Sequence, residues 1–231
     1  MSDNTVFVKN YINDSTDFAI NEKEIWRYAG FRGSEYTIEP QLDEIMHQVI
    51  KELSNSFTFK VCYRRMPLQW IENEPQLPFK TKSKDLATCL QNCTEVVLFA
   101  ATIGFSVDRM IAKYQHISPT KALLIQAFGT ERIETLCDVF CREFSEESEK
   151  EKLSCTTRFS PGYGDLPLET QVEFFHLLDC PRHIGVSLNE SLLMSPSKSV
   201  TAIFGLGKSI KKSCVQNCLQ CNQVDCEFRK K

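Results

Sequence analysis

The stretch from Ser118 to Phe144 constrains the fold most, because one long helix runs through it. Leu123, Leu124, Ala127, Phe128, Leu136, Val139, Phe140 and Phe144 follow helical spacing for roughly six turns or more. Ser118 suits the N-cap, and Pro119 suits the first helical position, where its missing N–H is no loss. The pattern fades into the charged stretch Ser145 to Lys152. Gly129 in the middle costs about 1 kcal/mol relative to alanine, which is tolerable if another backbone packs closely there.

The remaining elements are shorter. Glu22 to Tyr28 reads as a short helix stopped near Gly30 and Gly33. Leu42, Ile45, Met46, Val49, Ile50 and Leu53 repeat helically after Pro40. Phe57 to Tyr63 alternates like a strand, and Pro67, Pro75 and Pro78 mark an irregular connection. Lys82 to Asn92 is helical. Glu95 to Thr102 is an apolar run that suits a buried strand ending at Gly104. Val107, Met110, Ile111 and Tyr114 make another helix. Leu168 to Leu178 is helical, and Leu188 to Met194 and Ser199 to Leu206 read as two strands. The first twenty residues give weak signals. Helices and strands mix without regular βαβ alternation, so the expected class is α+β. The expected architecture is a single mixed domain over residues 1–207, with a twisted, largely antiparallel sheet and several helices, followed by a Cys-rich tail over 208–231.

A chain of 231 residues, 42% hydrophobic and 25% charged, has the composition of an ordinary globular protein with one sizeable core. Its formal net charge of −3 gives no electrostatic case for nucleic acid as a partner. No apolar run reaches the roughly 18 to 20 residues that span a bilayer. The first residues carry no basic segment leading into an apolar one, so a cytoplasmic location is expected.

The loop Arg158-Phe159-Ser160-Pro161-Gly162-Tyr163 holds the best candidate for ligand chemistry. A guanidinium clamps a carboxylate through two parallel hydrogen bonds. A glycine lets backbone groups approach a ligand, and a tyrosine adds a flat apolar face with a hydroxyl. Together they suit a zwitterionic, partly aromatic ligand, although a surface turn with an exposed arginine explains the same residues. Asp165 could contact a ligand amine, but turn chemistry accounts for it as well. His47, His116, His176 and His183 share no ligand spacing.

Several ordered motifs add to this loop. Pro167 and a helix follow it, then Leu188-Asn189-Glu190-Ser191-Leu192-Leu193-Met194-Ser195-Pro196, then Ser199-Val200-Thr201. Upstream stand Phe99-Ala100-Ala101-Thr102-Ile103-Gly104 and the long helix through Glu134. In this order the segment from about residue 95 to 206 resembles the C-terminal activation domain of cobalamin-dependent methionine synthase. That family has an Arg-x-x-x-Gly-Tyr loop, a helix, a Leu-x-Glu-Ser-x-x-Met-x-Pro segment and then Ser-Val.

The resemblance implies an S-adenosylmethionine site. Arg158 would pair with the methionyl carboxylate, Ser160 and Gly162 would offer backbone contacts, and Tyr163 would line the pocket. Glu134 would balance the sulfonium or ammonium charge, with a solvated helix residue as the alternative. Phe204 stands where the family has an aromatic, but it lacks a phenol hydroxyl. The implied activity is a component of methionine synthase (methyltransferase) function. It would reactivate cob(II)alamin by reductive methylation, without a nucleophile or general base of its own, the protein contributing orientation. With no room for homocysteine, folate or cobalamin modules, the chain would act on cobalamin held by a separate corrinoid-binding protein or a truncated methionine synthase. An electron donor such as a flavodoxin or ferredoxin would complete the reaction.

Eleven cysteines are many for such a chain. Cys62, Cys89, Cys93, Cys137, Cys141, Cys155 and Cys180 are scattered among apolar residues and read as small buried hydrophobes. Cys214, Cys218, Cys221 and Cys226 crowd together with three, two and four residues between them. Four thiolates close the shell of zinc or an iron–sulfur cluster. Gly205 and Gly207, with Lys208, Lys211 and Lys212, suggest a hinge before this metal-binding tail. The first three cysteines also have the spacing of radical S-adenosylmethionine enzymes. Those enzymes need a large barrel after the motif, and five residues follow Cys226. A non-catalytic interaction protein of the same fold, with a structural metal site, is the alternative function. A small methyltransferase ranks last, since the glycine-rich Rossmann signature is missing.

Overall fold

The computed structural model describes residues 5–12, 16–31, 37–208 and 210. Five strands form one sheet in the order β1-β2-β5-β9-β6, with every pairing antiparallel. They are β1 (Phe7–Tyr11), β2 (Phe59–Pro67), β5 (Glu95–Thr102), β6 (Ser154–Cys155) and β9 (Ser199–Gly207). Two small hairpins, β3–β4 (Gln69–Ile71 and Glu74–Gln76) and β7–β8 (Ser187–Leu188 and Met194–Ser195), decorate it. Seven α-helices complete the described residues: α1 (Glu22–Tyr28), α2 (Pro40–Leu53), α3 (Lys84–Cys89), α4 (Ser106–Tyr114), α5 (Pro119–Lys150), α6 (Thr170–Leu178) and α7 (Cys180–Ile184). The class is α+β, as the mixed pattern implies.

The central strands are buried on both faces, which explains their continuous apolar runs. Along β5, Val97, Phe99 and Ala101 point to one core, and Val96, Leu98 and Ala100 to the other. The first core lies under α1, α2, α4 and the long α5, and the second under α3, α6 and α7. In β9, Ala202, Phe204 and Leu206 face the α5 side while Ile203 faces away. Most scattered cysteines fill these cores: Cys62, Cys89, Cys93, Cys137 and Cys180 are buried, and Cys141 and Cys155 half-buried.

Helix α5 runs for 32 residues, about 48 Å at 1.5 Å per residue. The Ser118 hydroxyl accepts from the N–H of Lys121 at 3.4 Å, and Pro119 opens the helix. A Cβ on Gly129 would stand 2.7 Å from the Val107 side chain of α4 and 3.2 Å from Lys198 Cε. The nearest atoms at this crossing of α4 and α5 are therefore side chains, those of Val107 and Lys198. Lys198 is buried beside this crossing and donates to the Thr130 hydroxyl at 2.8 Å. Burial pushes its ammonium down to about 8, opposed by the Asp108 carboxylate.

Four readings from sequence need correction. Residues 188–194 do not form one strand. The Asn189 side chain accepts from the N–H groups of Ser191 at 3.0 Å and Leu193 at 2.9 Å and closes a turn, so only the ends pair, as β7 and β8. The segment around Pro67, Pro75 and Pro78 is not wholly irregular: it holds the β3–β4 hairpin, whose Trp70 indole donates to the Cys93 carbonyl at 3.0 Å. Phe57 and Thr58 precede β2, which starts at Phe59. Gly205 and Gly207 are no hinge. They lie within β9, where a Cβ would come within 2.3 Å of Cys93 Sγ and of the Asn92 carbonyl oxygen respectively. Strand β1 and helix α7 have no counterpart among the sequence expectations.

Candidate functional site

Beyond β6 the chain continues along the open edge of the sheet. The Thr156 N–H donates to the Gly205 carbonyl at 2.9 Å, and Phe159 and Ile203 exchange backbone hydrogen bonds at 2.8 Å. This extended segment faces the outer surface of α5, and an open groove of about 600 Å³ separates them. Asp138, Cys141, Arg142 and Ser145 form the helix wall, and Cys155, Thr156, Thr157 and Arg158 the strand wall. The volume lies in the range of small-molecule sites, about 300–1,000 Å³.

Arg158 is the dominant charge on the strand wall. Its Nη2 donates to Glu134 Oε2 at 2.7 Å and its Nη1 to Asp138 Oδ1. Burial works to lower its pKa, yet nearby Cys137, Glu134 and Asp138 outweigh it and hold the guanidinium above its usual value. The two carboxylates lie four residues apart on one face of α5. Burial also pushes the Cys141 thiol up to about 11, with the Arg158 charge opposing it, so it is no ready nucleophile. Arg142 points its charge elsewhere, to Asp17 at 2.6 Å.

The loop after Arg158 is tied at both ends. Gly162 has φ +88° and donates its N–H to the Leu166 carbonyl at 2.9 Å, and Tyr163 donates to the Ser160 carbonyl at 3.1 Å. Glycine suits this left-handed geometry, and a Cβ would press on Leu168 at 3.3 Å. Asp165 then fastens the loop to the start of α3. It accepts from the Ser83 hydroxyl and from the N–H groups of Lys84 at 2.7 Å and Asp85 at 3.2 Å. Burial opposes its charge, but these donors hold its carboxyl below the ordinary value. Asp165 thus caps the start of α3 from 80 or more residues away, a long-range contact rather than the local turn chemistry read from sequence.

The structure therefore pairs Glu134 with Arg158 of the groove wall, and sets Ser160, Gly162 and Tyr163 on the adjoining loop. Tyr163 is 70% exposed. Phe204 is not brought there: it is 1% exposed and packs in a ring cluster with Phe99, Phe140 and Phe144. Asp138 was not singled out from sequence, although its spacing from Glu134 was a readable signal. Cys214, Cys218, Cys221 and Cys226 lie outside the described residues. Among the described residues, no group of three or more His, Cys, Asp or Glu could hold a metal. No described helix is long and apolar enough to cross a membrane.

Fold and site together define an α+β domain with a curled antiparallel sheet and a charge-lined groove at its edge. Residues 85–231 match the family described as "Vitamin B12 dependent methionine synthase, activation domain", and the chain belongs to that family. Among solved structures, the chain is similar to the one titled "Crystal Structure of the MetH Reactivation Domain bound to AdoHcy". The two are 15% identical with a TM-score of 0.66, and the match covers 90% of this chain and 80% of that one. At that identity the likeness establishes the fold. A search of curated proteins finds no match.

Proposed function

We propose that this chain binds S-adenosylmethionine in the groove between α5 and the Cys155–Arg158 edge, and that it supports reductive methylation of cob(II)alamin. The cobalamin would sit on a separate corrinoid-binding protein or a truncated methionine synthase. The observation that carries the reading is a guanidinium on the wall of an open groove, at the start of the Arg-x-x-x-Gly-Tyr loop, in a member of this family. The structural neighbour titled as bound to AdoHcy, the demethylated form of the same ligand, supports it.

In this reading Arg158 holds the ligand carboxylate through charge-assisted hydrogen bonds. Glu134 orients the guanidinium and adds negative charge near the ligand's cationic groups. The Gly162 N–H is already taken by Leu166, so Gly162 offers its carbonyl and its missing side chain. Ser160 contributes backbone, and the Tyr163 ring covers the exposed rim. Phe204 supports β9 from the core. The bound sulfonium supplies the methyl group, and one electron comes from a donor such as a flavodoxin or ferredoxin. The protein itself fixes the ligand and requires no general base.

The doubly paired Arg158 also fits a second reading, an interaction protein of the same fold that no longer binds the ligand. Calorimetric titration with S-adenosylmethionine separates the two. Binding that is lost in Arg158→Ala supports the first reading, and no binding by the wild type supports the second.

The proposal extends to the segment 208–231 as a metal-binding tail in which Cys214, Cys218, Cys221 and Cys226 hold zinc or an iron–sulfur cluster. Metal and sulfide analysis after anaerobic purification tests it. Iron with sulfide favours a role in electron delivery, zinc a structural clip, and no metal removes the site.

A further inference from the structure

Both terminal nitrogens of Arg158 are already in use. Nη2 serves Glu134 at 2.7 Å, and Nη1 serves Asp138. The guanidinium keeps further N–H groups, but a ligand carboxylate that binds its Asp138-side edge through two parallel bonds takes the place of Asp138 at Nη1. The two partners are not equivalent. The groove wall contains Asp138 and Arg158 but not Glu134. The Asp138 side chain is 70% exposed, against 40% for Glu134, so its release into water costs less. A ligand entering the groove meets the Asp138–Arg158 pair first.

From this geometry we infer that Asp138 is a built-in competitor for Arg158: it occupies the guanidinium edge that the ligand carboxylate takes over, while Glu134 keeps the guanidinium aimed. The inference rests on the reading of the groove as an S-adenosylmethionine site and concerns its selectivity. Only a ligand carrying an amino-acid carboxylate replaces what Asp138 gives up. A nucleoside thioether without that group gains nothing from Arg158 and leaves the pair closed. Asp138 thereby lowers the affinity for every carboxylate ligand by the same factor and leaves adenosine-type fragments unaffected. No bond is made or broken, and the exchange trades one carboxylate for another at the same cation.

Calorimetric titration of the full chain and of Asp138→Asn tests this with three ligands. S-adenosylmethionine and S-adenosylhomocysteine carry the carboxylate, and 5′-methylthioadenosine does not. An exposed ion pair is worth up to about 1 kcal/mol, so D138N is expected to bind the first two roughly fivefold more tightly. Its affinity for 5′-methylthioadenosine should equal that of the wild type. Asp138→Ser should behave the same way, which guards against a peculiarity of the asparagine. Unchanged or weaker binding of S-adenosylmethionine by both variants, with a wild type that binds, overturns the inference but leaves the site reading intact. Equal tightening for 5′-methylthioadenosine also overturns it. If neither the wild type nor the variants bind any of the three, the site reading falls and this inference falls with it.

Discussion

Helix α5 carries two arginine–carboxylate clusters of opposite character. The Arg132 and Glu131 side chains are 1% and 3% exposed. The Arg132 Nη1 donates to the Phe18 carbonyl at 2.7 Å and its Nη2 to the Ala19 carbonyl at 3.1 Å, while Glu131 accepts from the Asn21 N–H at 3.0 Å. These donors and acceptors point inward, and the cluster fastens the segment before α1 to the long helix. Arg158 with Glu134 and Asp138 uses the same chemistry at a groove that solvent enters. Burial separates the two roles. A dry, saturated cluster holds structure and resists exchange, whereas a wet one can trade partners with a ligand.

The largest effect is expected from Arg132→Ala, which strands Glu131 in the core. A loss of about 3–5 kcal/mol in denaturant unfolding is expected. The double change Glu131→Gln with Arg132→Met should recover much of that loss, because a buried pair replaced as a unit is often near neutral. If R132A unfolds like the wild type, the contrast between the clusters fails.

Next comes Lys198, buried near the same helix. Its pKa of about 8 in the folded protein lies below the ordinary 10.5. Between those values the unfolded chain holds a proton that the folded chain has released, so this lysine makes stability rise with pH across that window. Its share is about 3 kcal/mol. Lys198→Met should be the more stable variant near neutral pH, and its stability should rise less between pH 8 and 10.5. An identical pH dependence in variant and wild type would refute the buried-amine account.

Asp165→Ala removes the tie between the loop and the start of α3, and a loss of about 1 kcal/mol in thermal unfolding is expected. Smallest is the stability effect of Arg158→Ala, at about 1 kcal/mol or less, because its partners are open to water. A loss as large as that of Arg132→Ala would make the groove cluster a structural one.

Much of the fold was legible because its main elements bury apolar residues in clear periods. Helices α1 and α2 and strand β5 lie where the pattern put them, and α5 begins at Pro119 after its Ser118 cap. Strand β1 escaped because it is an edge strand whose first four residues are exposed, so no alternation marks it. Helix α7 escaped because it is five residues long and starts from Asp179 in a left-handed conformation, which no local pattern announces. The turn hidden in 188–194 depended on one asparagine side chain satisfying two backbone donors. At the site, the loop and Arg158 could be read from sequence. That Phe204 points into the core while the strand's edge bears the groove depends on how β9 is covered, which sequence spacing does not contain.

The proposed function requires Arg158 to serve a ligand rather than the fold. Calorimetric titration of wild type and Arg158→Ala with S-adenosylmethionine tests that most directly. Binding by the wild type is expected, with a loss of about tenfold or more in the variant, whose melting temperature stays close to that of the wild type. Equal binding by both proteins, or none by the wild type, would contradict it.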